Sequence, residues 1–353
     1  MLLASTTPVA IPAHAFEQAL AFARTVYRLK RNEHYLARLA ASLPEAAGIR
    51  PQSSGILMGF DFHLADSGVK LIEINNNAGG LYTGNGGWVP QPELAELPGT
   101  LPERLVSMFP DDWRVIAIMD EAIEEQFMYP EMKAYAELLR QAGRTVCLVS
   151  PQQLQAREDG LYADGARIDA IYNRHTDFYL DSPEMSHIRK AYLAQQVQLN
   201  PHPRSYALLG DKARMADWWR DGLLECCLDR PDIELIRSVV PETRLLGEHD
   251  AEEVWQQRSR WVFKPAAKHG GKGVLLGKSI SRKRFSELAP DDTVMQAFVP
   301  ATTVKLNGGE FKFDLRLFTH GDRLIAVAGR VWQGQVTNFR SEGSGWVPLS
   351  IAG

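Results

Sequence analysis

The chain has 353 residues, 45% of them hydrophobic, so it is long enough for two or three domains with their own cores. Its net charge of -4 at pH 7 gives no general attraction to nucleic acid or anionic membranes, and no uncharged apolar run reaches the length of a membrane span. Three cysteines without a CxxC pair, and a first segment without the basic residues of a signal peptide, predict a cytoplasmic protein without a disulfide framework.

The chain begins with a helical segment that is followed by a polar hairpin. Hydrophobic residues recur at helical spacing over residues 13–42 and predict a long amphipathic helix with a break near Asn32. Two strands follow, joined by a tight turn that brings Asp61 beside the second strand, where Glu73 and Asn75 face the same side. Two acids and one amide fit the ligand set of Mg²⁺, although a hairpin whose polar side chains merely face water would look the same.

A loop rich in glycine and proline follows the hairpin at residues 79–98. It comes directly after the candidate metal ligands, where loops that cover a substrate often lie, so it is a candidate lid. Asn77, Gly79 and Gly80, around its beginning, are candidate substrate contacts.

A second unit begins near residue 111, where strands and helices alternate as in a small α/β layer with a parallel sheet. Its predicted elements are strands at 113–119, 145–149 and 168–172 and helices at 128–142 and 190–199. Asn173, Arg174 and Asp177 lie past the carboxyl end of the last strand. Open α/β sheets bind ligands there, so these residues are candidate substrate contacts; a helix cap with a surface ion pair is the alternative.

The last part of the chain combines strands with cationic side chains. Its predicted elements are a helix from Lys212 to Trp219 and strands at 261–264, 294–299, 311–319 and 324–331. The strand that holds Lys264 runs into a glycine-rich loop of His269, Gly270, Gly271, Lys272 and Gly273. Glycines let backbone N–H groups approach an anion, so this loop can cover phosphates. Lys212 and Lys264 could supply positive charges to the phosphate oxygens. A plain hairpin with a glycine-rich turn is the alternative. Asp314 and Arg316 share one strand face.

Together these segments resemble the ATP-grasp superfamily, whose members clamp ATP between two α+β subdomains. The resemblance covers about residues 13–80 and 206–353 and rests on Asp211–Lys212, the approach at 240–243, Phe263–Pro265 with its glycine loop, Gln296–Val299, Asp314, Arg316, Arg330, Asn338, and Asp61 with Glu73 and Asn75. The hairpin that holds the metal ligands precedes the glycine loop, as in eukaryotic-type glutathione synthetases and glutathionylspermidine synthetase-like proteins. This order implies a circularly permuted ATP-grasp fold of the α+β / α/β class.

The resemblance also implies a division of the chain and one departure from the family. The units would be 1–110 (permuted C-terminal subdomain strands), 111–205 (small α/β substrate domain), 206–300 (central subdomain) and 301–353 (the rest of the C-terminal subdomain). Lys268 stands four positions after Lys264, where glutathione synthetases have a glutamate, so their third metal ligand is not matched. Asp61 would take that role.

The site roles that the resemblance implies concern ATP and one or two Mg²⁺ ions. Asp61, Glu73 and Asn75 would bind the metal, while Arg316, Arg330 and Lys264 would act in catalysis. The remaining nucleotide contacts would be Lys212, His269, Gly270, Gly271, Lys272, Gly273, Asp314, Asn338 and the adenine-reading backbone of Gln296, Ala297, Phe298 and Val299. Catalysis of phosphoryl transfer depends mainly on positioning the reactants and neutralising phosphate charge, and these groups would do both.

The function implied is an ATP-dependent ligase that joins a small-molecule carboxylate to an amine through an acyl phosphate, releasing ADP and phosphate. A nucleotide-binding regulatory protein without turnover, or a small-molecule kinase of the same fold, remains an alternative. Neither nucleic acid nor a membrane is an expected partner. The sequence leaves the oligomeric state open, a homo-oligomer included.

Overall fold

The computed structural model of this chain describes residues 3–84, 87–266, 273–335, 337 and 342–352. Its sheets bring together strands that lie far apart in the sequence. In the described residues no helix is both long enough and apolar enough to cross a membrane. The α-helices are Ala13–Arg31, Glu33–Leu39, Glu45–Gly48, Leu101–Val106, Tyr129–Gln141, Ser186–Leu193, Pro203–Ser205, Ala213–Asp217, Arg230–Val239, Ala251–Gln256 and Arg282–Ser286.

The largest sheet, called here the C-terminal sheet, is antiparallel. Its strands, in spatial order, are Gly345–Val347, Arg323–Trp332, Gly309–His320, Met58–Ala65 and Gly68–Asn75, and Thr302–Leu306 also pairs with Gly309–His320. The hairpin near the beginning of the chain therefore extends a sheet whose other strands come from its end. Val9–Pro12 pairs in parallel with Leu349–Ala352, so the first and last strands that the structure describes lie side by side. The circular permutation remains a prediction.

The first helix covers one face of the C-terminal sheet. It ends at Arg31, because the Asn32 side chain accepts hydrogen bonds from the backbone N–H groups of His34 and Tyr35 and begins a second helix there. This confirms the predicted break near Asn32. Phe22 contacts Phe60 and Phe62 of the hairpin edge to face, at centroid distances of 6.4 and 5.9 Å. These aromatic contacts fix the hairpin on the helix.

The middle unit is built around a parallel sheet, as its alternating pattern predicts. In spatial order its strands are Gln198–Asn200, Ala170–Asn173, Val115–Met119 and Thr145–Val149. Between Thr145–Val149 and Ala170–Asn173 the chain forms a separate three-stranded meander, absent from the prediction, of Gln155–Arg157, Gly160–Ala163 and Ala166–Arg167. The predicted helix 190–199 is wrong in its second half. Gln195 adopts a left-handed conformation (φ 55°), which ends the helix and lets residues 198–200 form a strand.

A smaller antiparallel sheet, called here the central sheet, lies within residues 206–300. Its strands in spatial order are Thr243–Leu245, Thr293–Ala297, Trp261–Pro265 and Leu275–Leu276. Trp261, Phe263, Phe285 and Met295 are buried in a core of its own. A separate core means that this sheet can keep its own structure while it forms one wall of a cleft.

Candidate functional site

A cavity of about 750 Å³, called here the main cavity, lies between the C-terminal sheet, the central sheet and the middle unit. The predicted site residues that line it are Glu73, Asn75, Asn77, Gly79, Arg174, Lys264, Gln296, Ala297, Phe298, Val299, Arg316 and Arg330. Residues that lie more than two hundred positions apart in the sequence therefore line one cavity.

Four charged side chains on the C-terminal sheet form a buried network, called here the arginine cluster: Asp61, Asp314, Arg316 and Arg330. Strand register places Asp61 opposite Arg316, and Asp314 opposite Arg330. Arg316 donates from Nε and Nη2 to the two Asp61 oxygens at 2.5 and 2.6 Å, and Arg330 donates in the same forked way to Asp314 at 2.8 Å. Arg330 Nη2 also reaches Asp61 at 2.7 Å. Forked arginine–carboxylate pairs are the strongest side-chain hydrogen bonds available.

The position of Asp61 revises its predicted role as a metal ligand. Its side chain is completely buried and does not line the main cavity. Its oxygens already accept hydrogen bonds from both arginines and from the Asn75 amide at 3.0 Å. Burial alone would raise the pKa of this carboxyl, but Arg316 and Arg330 outweigh burial and hold the pKa below its usual value. Asp61 is thus a charged partner of the arginines, and its carboxylate lies outside the lining of the main cavity.

Glu73 and Asn75 fit a hard cation better. Both line the main cavity, and Glu73 accepts no hydrogen bond from any residue that the structure describes. The Asn75 amide nitrogen donates to Asp61, which fixes the side chain so that its oxygen is the end left for a ligand. One carboxylate and one amide oxygen, with room for phosphate oxygens and water, match the preference of Mg²⁺.

Lys264 lies at the floor of the main cavity. Its ammonium donates to the Ile72 carbonyl at 2.9 Å and to the Gln296 side-chain oxygen at 2.6 Å. Burial lowers the pKa of Lys264, the nearby Glu73 carboxylate raises it, and the Lys212 charge lowers it. The resulting pKa is about 8. Lys212 itself lines a smaller cavity of about 230 Å³, whose wall also includes Glu73. The two predicted phosphate-binding lysines therefore lie close enough to influence each other.

The predicted adenine-reading backbone is only partly available. The Ala297 N–H donates to the Glu242 carbonyl and the Phe298 N–H to the Arg260 carbonyl, each at 2.7 Å. These two N–H groups stabilise the central sheet and are not available to donate hydrogen bonds to an adenine base. The Gln296 side chain is likewise occupied, since it accepts from Lys264.

Four apolar side chains that the sequence did not predict at the site also line the main cavity: Ile72, Val262, Leu276 and Trp332. His63 also lines it, and the His63 ring contacts the Val299 carbonyl at 3.1 Å. Burial lowers the pKa of His63 to about 4, so the ring is neutral at pH 7. Period-two alternation marks such strand residues only as core, which is why no sequence signal distinguished them.

Arg174 and the segment after the hairpin also line the main cavity. Arg174 Nη1 donates to the Asn77 side-chain oxygen at 2.6 Å and to the Ala78 carbonyl at 2.9 Å. A side chain at Gly79 would meet Arg174 Nη2 at 2.7 Å, and one at Gly80, whose φ is 112°, would clash with Trp346. The two glycines are thus required for this close approach.

Asn173 and Asp177 do not line either cavity, and both predicted substrate contacts are wrong in this respect. The Asn173 oxygen accepts from the His175 N–H at 3.1 Å, and Asp177 accepts from the Ser182 N–H at 2.8 Å. Both side chains stabilise the turn that presents Arg174, and neither caps a helix nor forms an ion pair with a described residue.

The predicted lid, residues 79–98, is a packed wall in its described part. Glu131 is buried and accepts from the N–H groups of Gly80 and Tyr82 at 2.8 and 2.9 Å. Further along, the Gln91 side chain accepts from the Val327 N–H and donates to the Val327 carbonyl. The described part of this segment is therefore anchored at Gly80, Tyr82 and Gln91.

The remaining predicted nucleotide contacts have different outcomes. Asp314 is buried under Arg330 and does not line the main cavity. Gly273 is described and has a positive φ of 79°. His269, Gly270, Gly271, Lys272 and Asn338 lie outside the described residues.

Neither a protein-family model nor a curated protein sequence matches this chain. Solved structures do. A glutathione synthetase-like effector from Globodera pallida superposes with a TM-score of 0.63 at 12% identity, over 97% of this chain and 89% of that chain. A gamma-glutamylcysteine synthetase-like protein from Methylobacillus flagellatus gives a TM-score of 0.54 at 13% identity, over 94% of this chain and 86% of that chain. The chain therefore shares the mixed α/β fold of these two solved structures, which confirms the predicted fold class; the circular permutation remains a prediction.

Proposed function

We propose that this protein is an ATP-dependent ligase that joins a carboxylate to an amine and releases ADP and phosphate. The observation that carries the proposal is the shared cavity of Glu73, Asn75, Lys264, Arg316 and Arg330. A carboxylate and an amide for a cation, a lysine, and two arginines are the groups that phosphoryl transfer needs. Two structural relatives whose names refer to glutathione-related synthetases have the same fold, which supports a ligase over an unrelated reaction.

The nucleotide would occupy the part of the cavity between the two sheets. Val262, Leu276 and Trp332 form an apolar wall there, which suits a purine base. Lys264 and Lys212 would hold phosphate oxygens. Their burial strengthens this attraction because little water screens it.

Glu73 and Asn75 would hold Mg²⁺, which neutralises charge on the phosphate oxygens. Arg316 and Arg330 would stabilise the transferred phosphoryl group, since both line the cavity and are fixed by buried carboxylates. Donors fixed in advance need no reorganisation when charge develops, which is the main source of such stabilisation.

The carboxylate substrate would lie near Arg174, with Asn77 and Gly79 around it. One carboxylate oxygen forms a bond to the γ-phosphorus while the bond to the bridging oxygen of ADP breaks. The amine then attacks the acyl carbon, loses a proton, and phosphate leaves. The 79–98 wall helps to exclude water, which would otherwise hydrolyse the acyl phosphate.

The proposal is tested by Mg²⁺-dependent release of ADP and phosphate from purified protein with pools of carboxylates and amines, with mass detection of new amides. Release that requires both an acid and an amine is the expected result. A phosphate ester as product would identify a kinase instead. ATP binding without turnover in every pool would favour the regulatory alternative.

ATP affinity should depend on pH through Lys264. Only the protonated amine attracts phosphate, and burial lowers its pKa to about 8, so raising the pH from 7 to 9 should weaken ATP binding about tenfold. Binding above pH 8 should be accompanied by proton uptake, which calorimetry in buffers of different ionisation enthalpy measures. The variant Lys264→Arg keeps its charge at pH 9 and should lose this dependence. Equal affinity of the wild type at both pH values would contradict the role of Lys264.

A further inference from the structure

The two arginines of the cavity are held from below by two buried carboxylates. Asp61 and Asp314 have side chains that are 0% and 1% exposed, whereas those of Arg316 and Arg330 are 8% and 10% exposed. The carboxylates thus lie beneath the cavity surface and the guanidinium groups lie at it. Two positive and two negative charges cancel within the cluster, which allows the arginines to be buried without excess charge.

The hydrogen bonds also determine which atoms of the arginines remain for a ligand. Both guanidinium groups use Nε and Nη2 for carboxylate oxygens. Arg316 Nη1 donates only a long bond of 3.2 Å to the Gly79 carbonyl, and Arg330 Nη1 donates none to a described residue. The Nη1 ends of both arginines are therefore the ones presented to the cavity.

Asp61 is the only member of the cluster that bonds to both arginines. Its Oδ2 accepts from Arg316, Arg330 and Asn75, so the same carboxylate also orients a candidate cation ligand. A carboxylate that coordinated Mg²⁺ would have to release these donors and reach the cavity from a fully buried position. Geometry therefore favours an orienting role.

We propose that Asp61 is a positioning residue that aims Arg316 and Arg330 at the terminal phosphate of the nucleotide, while the cation is held by Glu73 and Asn75 without it. The identity of the ligand as ATP rests on the proposed function. The hydrogen bonds of both arginines to Asp61 are observed in the structure and do not depend on that proposal.

The test compares the binding of two nucleotides, ADP and the non-hydrolysable ATP analogue AMPPNP, each with Mn²⁺. Calorimetry gives the nucleotide affinities, and electron paramagnetic resonance gives the affinity for Mn²⁺. The variants are Asp61→Asn, which preserves shape, and Glu73→Gln. Asp322→Asn, an exposed acid in a turn of the same sheet, is the matched control.

In Asp61→Asn, the new amide oxygen can still accept the hydrogen bond from Asn75, so the affinity for Mn²⁺ with ADP should stay within about twofold of wild type. The advantage of AMPPNP over ADP should fall about tenfold or more. In Glu73→Gln, Mn²⁺ binding should weaken at least about tenfold with either nucleotide. Asp322→Asn should change neither. Weakening of Mn²⁺ binding in Asp61→Asn to the extent seen in Glu73→Gln would overturn the proposal, as would an unchanged AMPPNP advantage.

Removal of a buried charge can prevent folding, so a second variant is needed to test the proposal if Asp61→Asn does not fold. Asp61→Asn combined with Arg316→Gln removes one charge of each sign and should fold where the single variant does not. It should bind Mn²⁺ and ADP as the wild type does, because neither changed residue touches the cation. Loss of Mn²⁺ binding in a folded double variant would again identify Asp61 as a ligand. If the wild type binds both nucleotides without forming an amide, the proposed ligase fails and the assignment of Asp61 is still decided.

Discussion

Replacement of Glu73 by glutamine is expected to slow ADP formation about 10²–10³-fold and to leave the fold intact. Glu73 would contribute the only carboxylate among the two hairpin ligands assigned to Mg²⁺, and the loss of one well-placed charge of this type costs about 10²–10³-fold in rate. Glu73 accepts no hydrogen bond from a described residue, so the substitution leaves no buried partner unpaired. The measurement is the rate of Mg²⁺-dependent ADP release, with thermal unfolding measured in parallel.

The matched control is Glu17→Gln, the same substitution at an exposed position of the first helix. It should keep wild-type turnover and stability. If Glu73→Gln turns over at more than a tenth of the wild-type rate, Glu73 is not the metal carboxylate. If its melting temperature falls sharply while that of Glu17→Gln does not, the loss of activity reflects folding instead.

The second large effect is on stability and concerns Glu131. Its buried carboxylate accepts from Gly80 and Tyr82 and lies near the Arg174 charge. Truncation to alanine leaves two N–H groups unpaired and a buried arginine without this carboxylate, so the free energy of unfolding should fall by about 3–5 kcal/mol. Urea denaturation monitored by circular dichroism measures the change.

Glu137→Ala, on an exposed face of the same helix, serves as the control and should stay within about 0.5 kcal/mol of wild type. Glu131→Ala combined with Arg174→Met should lose less stability than the two single changes added together, because each single change leaves the other charge buried. Strict additivity would show that Glu131 and Arg174 are not coupled, and that the anchoring of the 79–98 wall depends on the backbone bonds alone.

The sequence by itself determined the local structure and the face on which side chains lie. A two-residue period places Glu73 and Asn75 on one face of a strand, and the structure retains both at the cavity. The capping chemistry of Asn32 determined a helix break, and alternating apolar runs determined the parallel sheet of the middle unit. These features depend on neighbours within a few residues, so the pattern of the chain is sufficient to predict them.

The tertiary structure decided which charges meet. Asp61 lies 255 positions from Arg316 and 269 from Arg330, and only the sheet order brings them into hydrogen-bonding distance. Glu131 reads in the sequence as an ordinary acid in the first turn of a helix, yet it is buried and anchors the wall of the cavity. Periodicity tells which face a side chain occupies but carries no information on the partner opposite. Asp61 is predicted from the sequence as a metal ligand, but in the structure its carboxylate is buried and pairs with two arginines from distant strands.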